Sequence, residues 1–322
     1  MSGMNTGNST LLTRQEIWSR DLKESLQDEL SATKYVDTIV DFPDGDTFTI
    51  PSIGDPQVDD YVEDTAVTYR PLDTGEWQFT IDEYIQSATH ISNKAMQDAF
   101  YSSQLMAGFV PKQHRAIMEH FETTILEKPE AIYAANGQGV INSAAHRMAG
   151  GNAGQIELAD FAYAMYALKK ANVPQTNMVA IVDPSVEFLL STLSNLVSVS
   201  DNPRWEGIVA DGISTGMKFV KNVYGFDVYT SNYLPSITDN ALPERDQSTT
   251  KDYSSVNGKA NYFFSAAGDV LPWKAAWRQN PTVESEYNKD HQRTEVVTTA
   301  RYGAKLYRPE NMVTIANLPS VS

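Results

Sequence analysis

The sequence predicts an α+β fold, and three observations carry that reading. Residues 156–196 alternate helix, buried strand and helix; a long helical tract runs over about 93–127; and several short segments with period-two alternation return near the carboxyl end. With 322 residues, 41% of them hydrophobic, the chain can build one or two real cores. It has no cysteine, which excludes disulfides, thiolate catalysis and cysteine-ligated metals. The net charge of -16 is uneven: residues 1–128 hold 9 basic and 22 acidic groups, whereas 251–322 hold 9 and 7. An acidic chain of this kind is a poor candidate for gripping a phosphate backbone. No apolar run reaches the length of a membrane span, and the polar start, Met1 to Thr10, lacks the basic and apolar regions of a signal peptide, so a cytosolic origin is expected.

Taken in order, residues 1–10 are rich in Ser, Gly, Asn and Thr and read as disordered. Thr13 with Glu16 forms a capping box for a helix whose Trp18, Leu22, Leu26 and Leu30 recur every four residues. Between Asp41 and Asp64 stand eight carboxylates and no Lys or Arg, mixed with Phe48, Ile50, Val58 and Tyr61 and punctuated by Pro43, Gly45, Pro51, Gly54 and Pro56. Thr47–Ile50, Ala66–Tyr69 and Trp77–Ile81 alternate as short extended segments. Residues 36–81 are therefore a strand-and-turn excursion too polar to bury much of itself; it needs a neighbour to become ordered.

The long helix places Met96, Phe100, Ile117, Phe121 and Ile125 on an apolar side and Arg115, Glu119 and Glu122 elsewhere. Gly108 and Pro111 interrupt it, so a bend is expected there, or a second helix starting at Pro111. Lys128-Pro129 is expected to end it. After a glycine-rich loop over 130–154, Leu158, Phe161, Met165 and Leu168 mark a helix with Lys169 and Lys170 at its carboxyl end. Met178–Val182 reads as a buried strand, and Asp183-Pro184 opens a helix carrying Val186, Leu189, Leu190, Leu193 and Leu196 inward. A turn is expected at Gly212–Gly216 and a strand at Gly225–Ser231, then a polar loop over 236–260. Late strands are expected at Tyr262–Ser265, Glu295–Tyr302 and Met312–Ile315.

Catalytic and metal motifs are weak. His90, His114, His120, His146 and His291 give no pair at ligand spacing, and Asp41, Asp44 and Asp46 lack the terminal glutamate of a calcium loop. Ser31-Ala32-Thr33-Lys34 has the Ser-x-x-Lys spacing without companion motifs, and Gly137-Gln138-Gly139 has Asn142 where a nucleotide loop needs its third glycine. No cofactor, metal site or catalytic residue is assigned.

The stretches Leu168-Lys169-Lys170-Ala171-Asn172-Val173-Pro174 with Val179–Pro184, Tyr224–Pro235, and Arg301–Glu310, in that order behind a long helix, resemble the major capsid proteins of tailed double-stranded DNA bacteriophages, with the HK97-like fold. The resemblance covers about residues 11–318. It implies an amino-terminal arm (1–40), an extended β-hairpin loop (41–81), a peripheral domain with the spine helix (82–129 and 271–322) and an axial domain (130–270). It implies a homo-oligomer of hexamers and pentamers in an icosahedral shell, with Trp18, Leu22, Leu26 and Leu30 as the arm's assembly interface and Gly108 and Pro111 as the place of a spine bend. By the same resemblance the chain resides in the virion after a stage in the host cytoplasm. It encloses double-stranded DNA without sequence-specific binding and has no membrane partner. Because some ten polar residues precede the arm helix, a separate scaffolding protein is expected, with a portal protein at one vertex and a decoration protein as an optional partner. Two other readings stand beside this one: a cellular nanocompartment shell, marked by a cargo groove, and a soluble carbohydrate-acting α/β enzyme, marked by paired carboxylates in a pocket.

Overall fold

The computed structural model describes residues 30–39, 47–54, 58–64, 66, 69, 71, 74–98, 102–136, 139–151, 154–192, 222–268 and 270–318. The arm helix expected around Trp18, Leu22 and Leu26, the turn expected at Gly212–Gly216, and Leu193 and Leu196, expected inward, lie outside the described residues.

The larger sheet follows from the strongest apolar run. Met178–Val182 is buried along its whole length, as a continuous rather than alternating pattern requires when both faces are covered. Val179 and Ile181 join one core with Tyr262, Phe264 and Trp273; Ala180 and Val182 join another with Phe161, Leu168, Phe226 and Phe263. Gly258–Ser265 pairs antiparallel on one side and Phe226–Thr230 parallel on the other, placing Ala180 opposite both Phe263 and Val228. Val313–Asn317 and then Arg147–Ala149 extend the sheet beyond Gly258–Ser265, and Asn222–Val223 closes the other end. Tyr224 (φ 49°) and Gly225 (φ 87°) make the left-handed corner into Phe226–Thr230.

The helix over the second core spans Leu158–Lys170. Glu157 and Asp160 form a reciprocal capping box at its start, and Lys169 and Lys170 sit in the last turn where the dipole favours them. Phe161 and Leu168 are buried as expected, helped by Ala164 and Ala167. Asp183 begins the next helix, Pro184–Thr192, by accepting from the Ser185 amide at 3.0 Å.

The smaller sheet is ordered Val36–Thr38, Trp273–Asn288, Arg293–Leu306, Glu83–Ser92. Two of its strands are not legible in the sequence. Glu83–Ser92 has only two large apolar residues, Ile85 and Ile91, on its inward face beside Glu83, Ser87 and Thr89, and Trp273–Asn288 carries Pro281 and scattered charges. Its ladder with Arg293–Leu306 slips between Trp277 and Gln279 and again before Thr282, so the proline sits at an irregularity rather than in a regular ladder.

A helix over Asn93–Asp98 leads toward the long helix Ser102–Asn136, which packs on the smaller sheet through Ile117 and Phe121. Phe121 lies 4.7 Å from the Trp277 ring and 4.9 Å from Tyr302, while Ile125 and Leu126 reach the core shared with the larger sheet. The expected stop at Lys128-Pro129 is corrected: helix continues through Pro129. Proline removes the donor to the Ile125 carbonyl and loosens the next bond in the ladder. The fully buried Tyr262 hydroxyl donates to the Leu126 carbonyl at 2.6 Å, supplying a partner at that turn. Helix likewise runs on through Gly108 and Pro111, so the expected fresh start at Pro111 is not observed.

The acidic excursion holds a two-stranded ladder, Thr47–Ile53 against Thr74–Thr80. Its second strand ends at Thr80, not Ile81, and Ala66 and Tyr69 lie outside any strand; Val67 and Thr68 are not described.

Candidate assembly surfaces

Three features project from, or tie together, the two-sheet body. The first is the root of the amino-terminal segment. Leu30 is half-buried just ahead of a 3-10 turn at Ala32–Tyr35, followed by Val36–Thr38 lying parallel to Trp273–Ala275. Tyr35 packs edge-on to Phe264 at 5.3 Å and near Tyr229 at 6.3 Å, on the larger sheet. Lys274 pairs with Asp37 at 3.0 Å on the smaller. This root thus touches both sheets.

At its centre is Glu122 of the long helix, expected on the polar side but fully buried. Its carboxylate accepts from the amides of Ser31 (2.8 Å), Ala32 (2.7 Å) and Thr33 (2.8 Å) and from the Thr33 hydroxyl (2.5 Å). Four donors on two oxygens are what a desolvated carboxylate needs. The only sequence signal is a glutamate beside Phe121 at the edge of the apolar stripe; its partners lie some 90 residues earlier, beyond any local pattern.

The second feature is the hairpin. Its root is fixed: Phe79 and Ile81 bury against Ala276, and Trp77 meets Tyr307 edge-on at 4.8 Å. Lys305 donates to the Gln78 carbonyl at 2.7 Å and lies 5.5 Å over the Trp77 ring. Toward the tip the chain turns outward with Val58 95% exposed, Tyr61 86% and Tyr69 92%, among Asp59, Asp60, Glu63 and Asp64. Large apolar groups so exposed on one projection are unusual for a self-sufficient surface.

The third feature is the polar stitching of the long helix. Gln113, buried, accepts from Thr298 at 3.0 Å and donates to Thr89 at 3.1 Å, spanning two strands of the smaller sheet. His120 Nδ1 and the Tyr302 hydroxyl are 2.8 Å apart. Near the other end of the helix, Glu130 accepts from Arg147 at 2.9 Å, and Arg147 reaches Asp239 at 2.5 Å, tying the helix to the larger sheet and its loop. Burial pushes the Glu130 carboxyl up, against the pull of the Arg147 guanidinium.

Among the described residues, no group of three His, Cys, Asp or Glu side chains can hold a metal ion. Ser31 and Thr33 of the Ser-x-x-Lys match are spent on the Glu122 contacts and a long bond to Thr230, while Lys34 is exposed. His146 is buried with Nδ1 bonded to the Met312 carbonyl at 2.9 Å, a core histidine rather than a ligand. No described helix is long and apolar enough to cross a membrane. Of the expected interface residues only Leu30 is described; Gly108 and Pro111 both lie in the continuous helix, with Pro111 exposed.

A long helix on a small sheet, a mixed larger sheet with its own helices and a projecting hairpin together make the HK97-like α+β architecture of shell-building capsid subunits, and solved structures share it. A Mycobacterium phage Che8 chain superposes with a TM-score of 0.66 at 17% identity, covering 93% of this chain and 96% of that one. The capsid of cyanophage P-SCSP1u gives 0.69 at 16% identity over 98% and 96%. The cyanophage Pam1 capsid gives 0.69 at 11% over 99% of each. No curated protein sequence matches the chain. A family model described as phage capsid protein matches residues 75–315, well over half of the sequence, and the chain belongs to that family. It is a self-assembling structural protein of the virion capsid.

Proposed function

We propose that this chain forms the hexamers and pentamers of an icosahedral shell around double-stranded DNA, with residues 1–40 and 41–81 laid over neighbouring copies. The observation that carries this reading is the hairpin tip: Val58, Tyr61 and Tyr69 stand in solvent although the root of the same hairpin is packed and hydrogen-bonded. A projection held firmly at one end and carrying large exposed apolar groups among carboxylates at the other is built to be covered by another molecule, and in a homo-oligomeric capsid that molecule is a sister copy. In this reading 82–129 and 271–322 form the peripheral domain and 130–270 the axial domain, except that Val313–Asn317 returns to pair within the larger sheet. Trp18, Leu22, Leu26 and Leu30 make the arm's contact with its neighbour, and Gly108 with Pro111 is where the spine bends between immature and mature shells.

The shell encloses DNA without sequence-specific contacts; where its carboxylates face the lumen they repel phosphate and let DNA be spooled without adhesion. Assembly takes place in the host cytoplasm on a separate scaffolding protein, with a portal at one vertex and, in some shells, a decoration protein. The test is electron microscopy of the purified protein with and without a co-expressed scaffolding partner. Closed shells are expected from wild type, and few from Tyr61→Ser/Tyr69→Ser or Trp18→Ala subunits that unfold at the wild-type temperature. Normal shell yield from these variants overturns the reading.

A further inference from the structure

We propose that Glu122 is the positioning residue of the amino-terminal arm: it clamps residues 31–33 against the long helix and so fixes the direction in which the arm leaves the subunit. The inference rests on the proposed reading of residues 1–40 as an arm over a neighbour.

Three observations converge on it. Glu122 is fully buried, yet its hydrogen bonds go to residues 31–33 and so hold the place where the arm joins the body. Each oxygen is used twice: Oε1 by the amides of Ser31 and Ala32, Oε2 by the amide and hydroxyl of Thr33. Three consecutive amides converging on one carboxylate fix the peptide planes there, and hence the bearing of the chain just before them, more tightly than apolar packing does. The clamp also sits where the long helix, the strand Val36–Thr38 on the smaller sheet and the contact of Ser31 with the Thr230 carbonyl on the larger one meet. Any reorientation of the helix against either sheet is therefore passed to the arm through Glu122. Residues 36–38 stay bound by their own ladder and the Asp37–Lys274 pair, so loss of the clamp frees the arm's bearing without detaching its root.

The geometry sets what a conservative change does. In Glu122→Gln one oxygen becomes an amide nitrogen, which cannot accept, so the two donors on that side lose their partner. Hydrogen exchange in the isolated full-length subunit is expected to accelerate about tenfold or more at those amides of Ser31, Ala32 and Thr33 that lose their acceptor, while Met178–Val182 and Gly258–Ser265 exchange as in wild type. In assembly the same protein is expected to give open sheets or aberrant particles in place of closed shells. Should Glu122→Gln fail to fold, Thr33→Val removes only the hydroxyl donor and is expected to show the same pattern, more weakly. Removal of residues 2–29 serves as the control for the arm itself. If the truncated chain still closes shells, the arm reading fails; if Glu122→Gln leaves residues 31–33 protected, or loosens them with shells still normal while the truncation abolishes closure, the clamp is overturned.

Discussion

Gly303 is the point at which the hairpin root crosses the smaller sheet, and replacing it with alanine probes how rigidly that root is set. A Cβ at this position stands 2.6 Å from the Thr80 carbonyl oxygen, 3.0 Å from the Ile81 Cα and 3.2 Å from the Phe79 ring, where ordinary contact begins at 3.4 Å. The nearest obstacles are backbone, so a side-chain rotation does not relieve the clash, and the Thr80–Ile81 segment has to retreat by roughly 0.8 Å. Overpacking of this kind costs roughly 1–3 kcal/mol. A kcal/mol shifts the unfolding temperature by about 2–4 °C in domains of about 150–250 residues and by less in a longer chain, so Gly303→Ala is expected to lower it by roughly a few degrees. The displacement also tilts the hairpin, whose seven-residue strands carry the shift outward, so shell yield should fall further than stability does. Gly268, where a Cβ meets nothing within 4 Å, is the matched control and should tolerate alanine. Differential scanning calorimetry with sedimentation of assembly mixtures reads both effects. If Gly303→Ala unfolds and assembles as wild type does, the root is not set by close backbone approach.

Other tests follow from single contacts. Tyr262→Phe removes the donor to the Leu126 carbonyl near Pro129 and is expected to cost about 1–3 kcal/mol in denaturant unfolding; Pro129→Ala gives the Ile125 carbonyl its donor back and tightens the following bond, from the Glu130 amide to the Leu126 carbonyl, so it should shrink that loss, and additivity of the two changes would disprove the coupling. His146 is buried, which pulls its pKa below the usual histidine range. The unfolded chain takes up this proton near pH 6.5 and the folded chain does not. Its contribution to stability is thus complete above about pH 6.5 and is lost as pH falls toward the folded pKa, by up to about 1.4 kcal/mol per pH unit. Denaturant midpoints at pH 7.5 and 5.5 should differ more for wild type than for His146→Gln; equal differences would place the acid sensitivity elsewhere.

What the sequence reveals and what it conceals divide along physical lines. Met178–Val182 and the helix Leu158–Lys170 are legible because burial on both faces, and capping followed by a 3.6-residue stripe, are written in consecutive residues. The hairpin ladder is legible as alternation, although its reach to Ile53 and back to Thr74 is not, since Pro51 and Gly75 mask it. The stop at Pro129 fails because the residue that supports the continuing helix, Tyr262, is more than a hundred positions away. Trp273–Asn288 fails for a like reason: its pattern makes sense only against Arg293–Leu306, with a slip that absorbs Pro281. Glu122 is the sharpest case, because charge on a helix next to its apolar stripe normally marks a wet boundary. Its burial is dictated by three amides of a distant turn. The proposed assembly surfaces are thus read from segments too polar to bury much of themselves, while the contacts that hold their roots are tertiary.

The most direct measurement is amide hydrogen exchange at residues 58–64, compared between dilute subunits and assembled shells. Rapid exchange in the subunit and about tenfold or greater slowing in the shell are expected if a sister copy covers the exposed Val58 and Tyr61. Equal rates in both states, or a tip already protected in the lone subunit, would contradict the account.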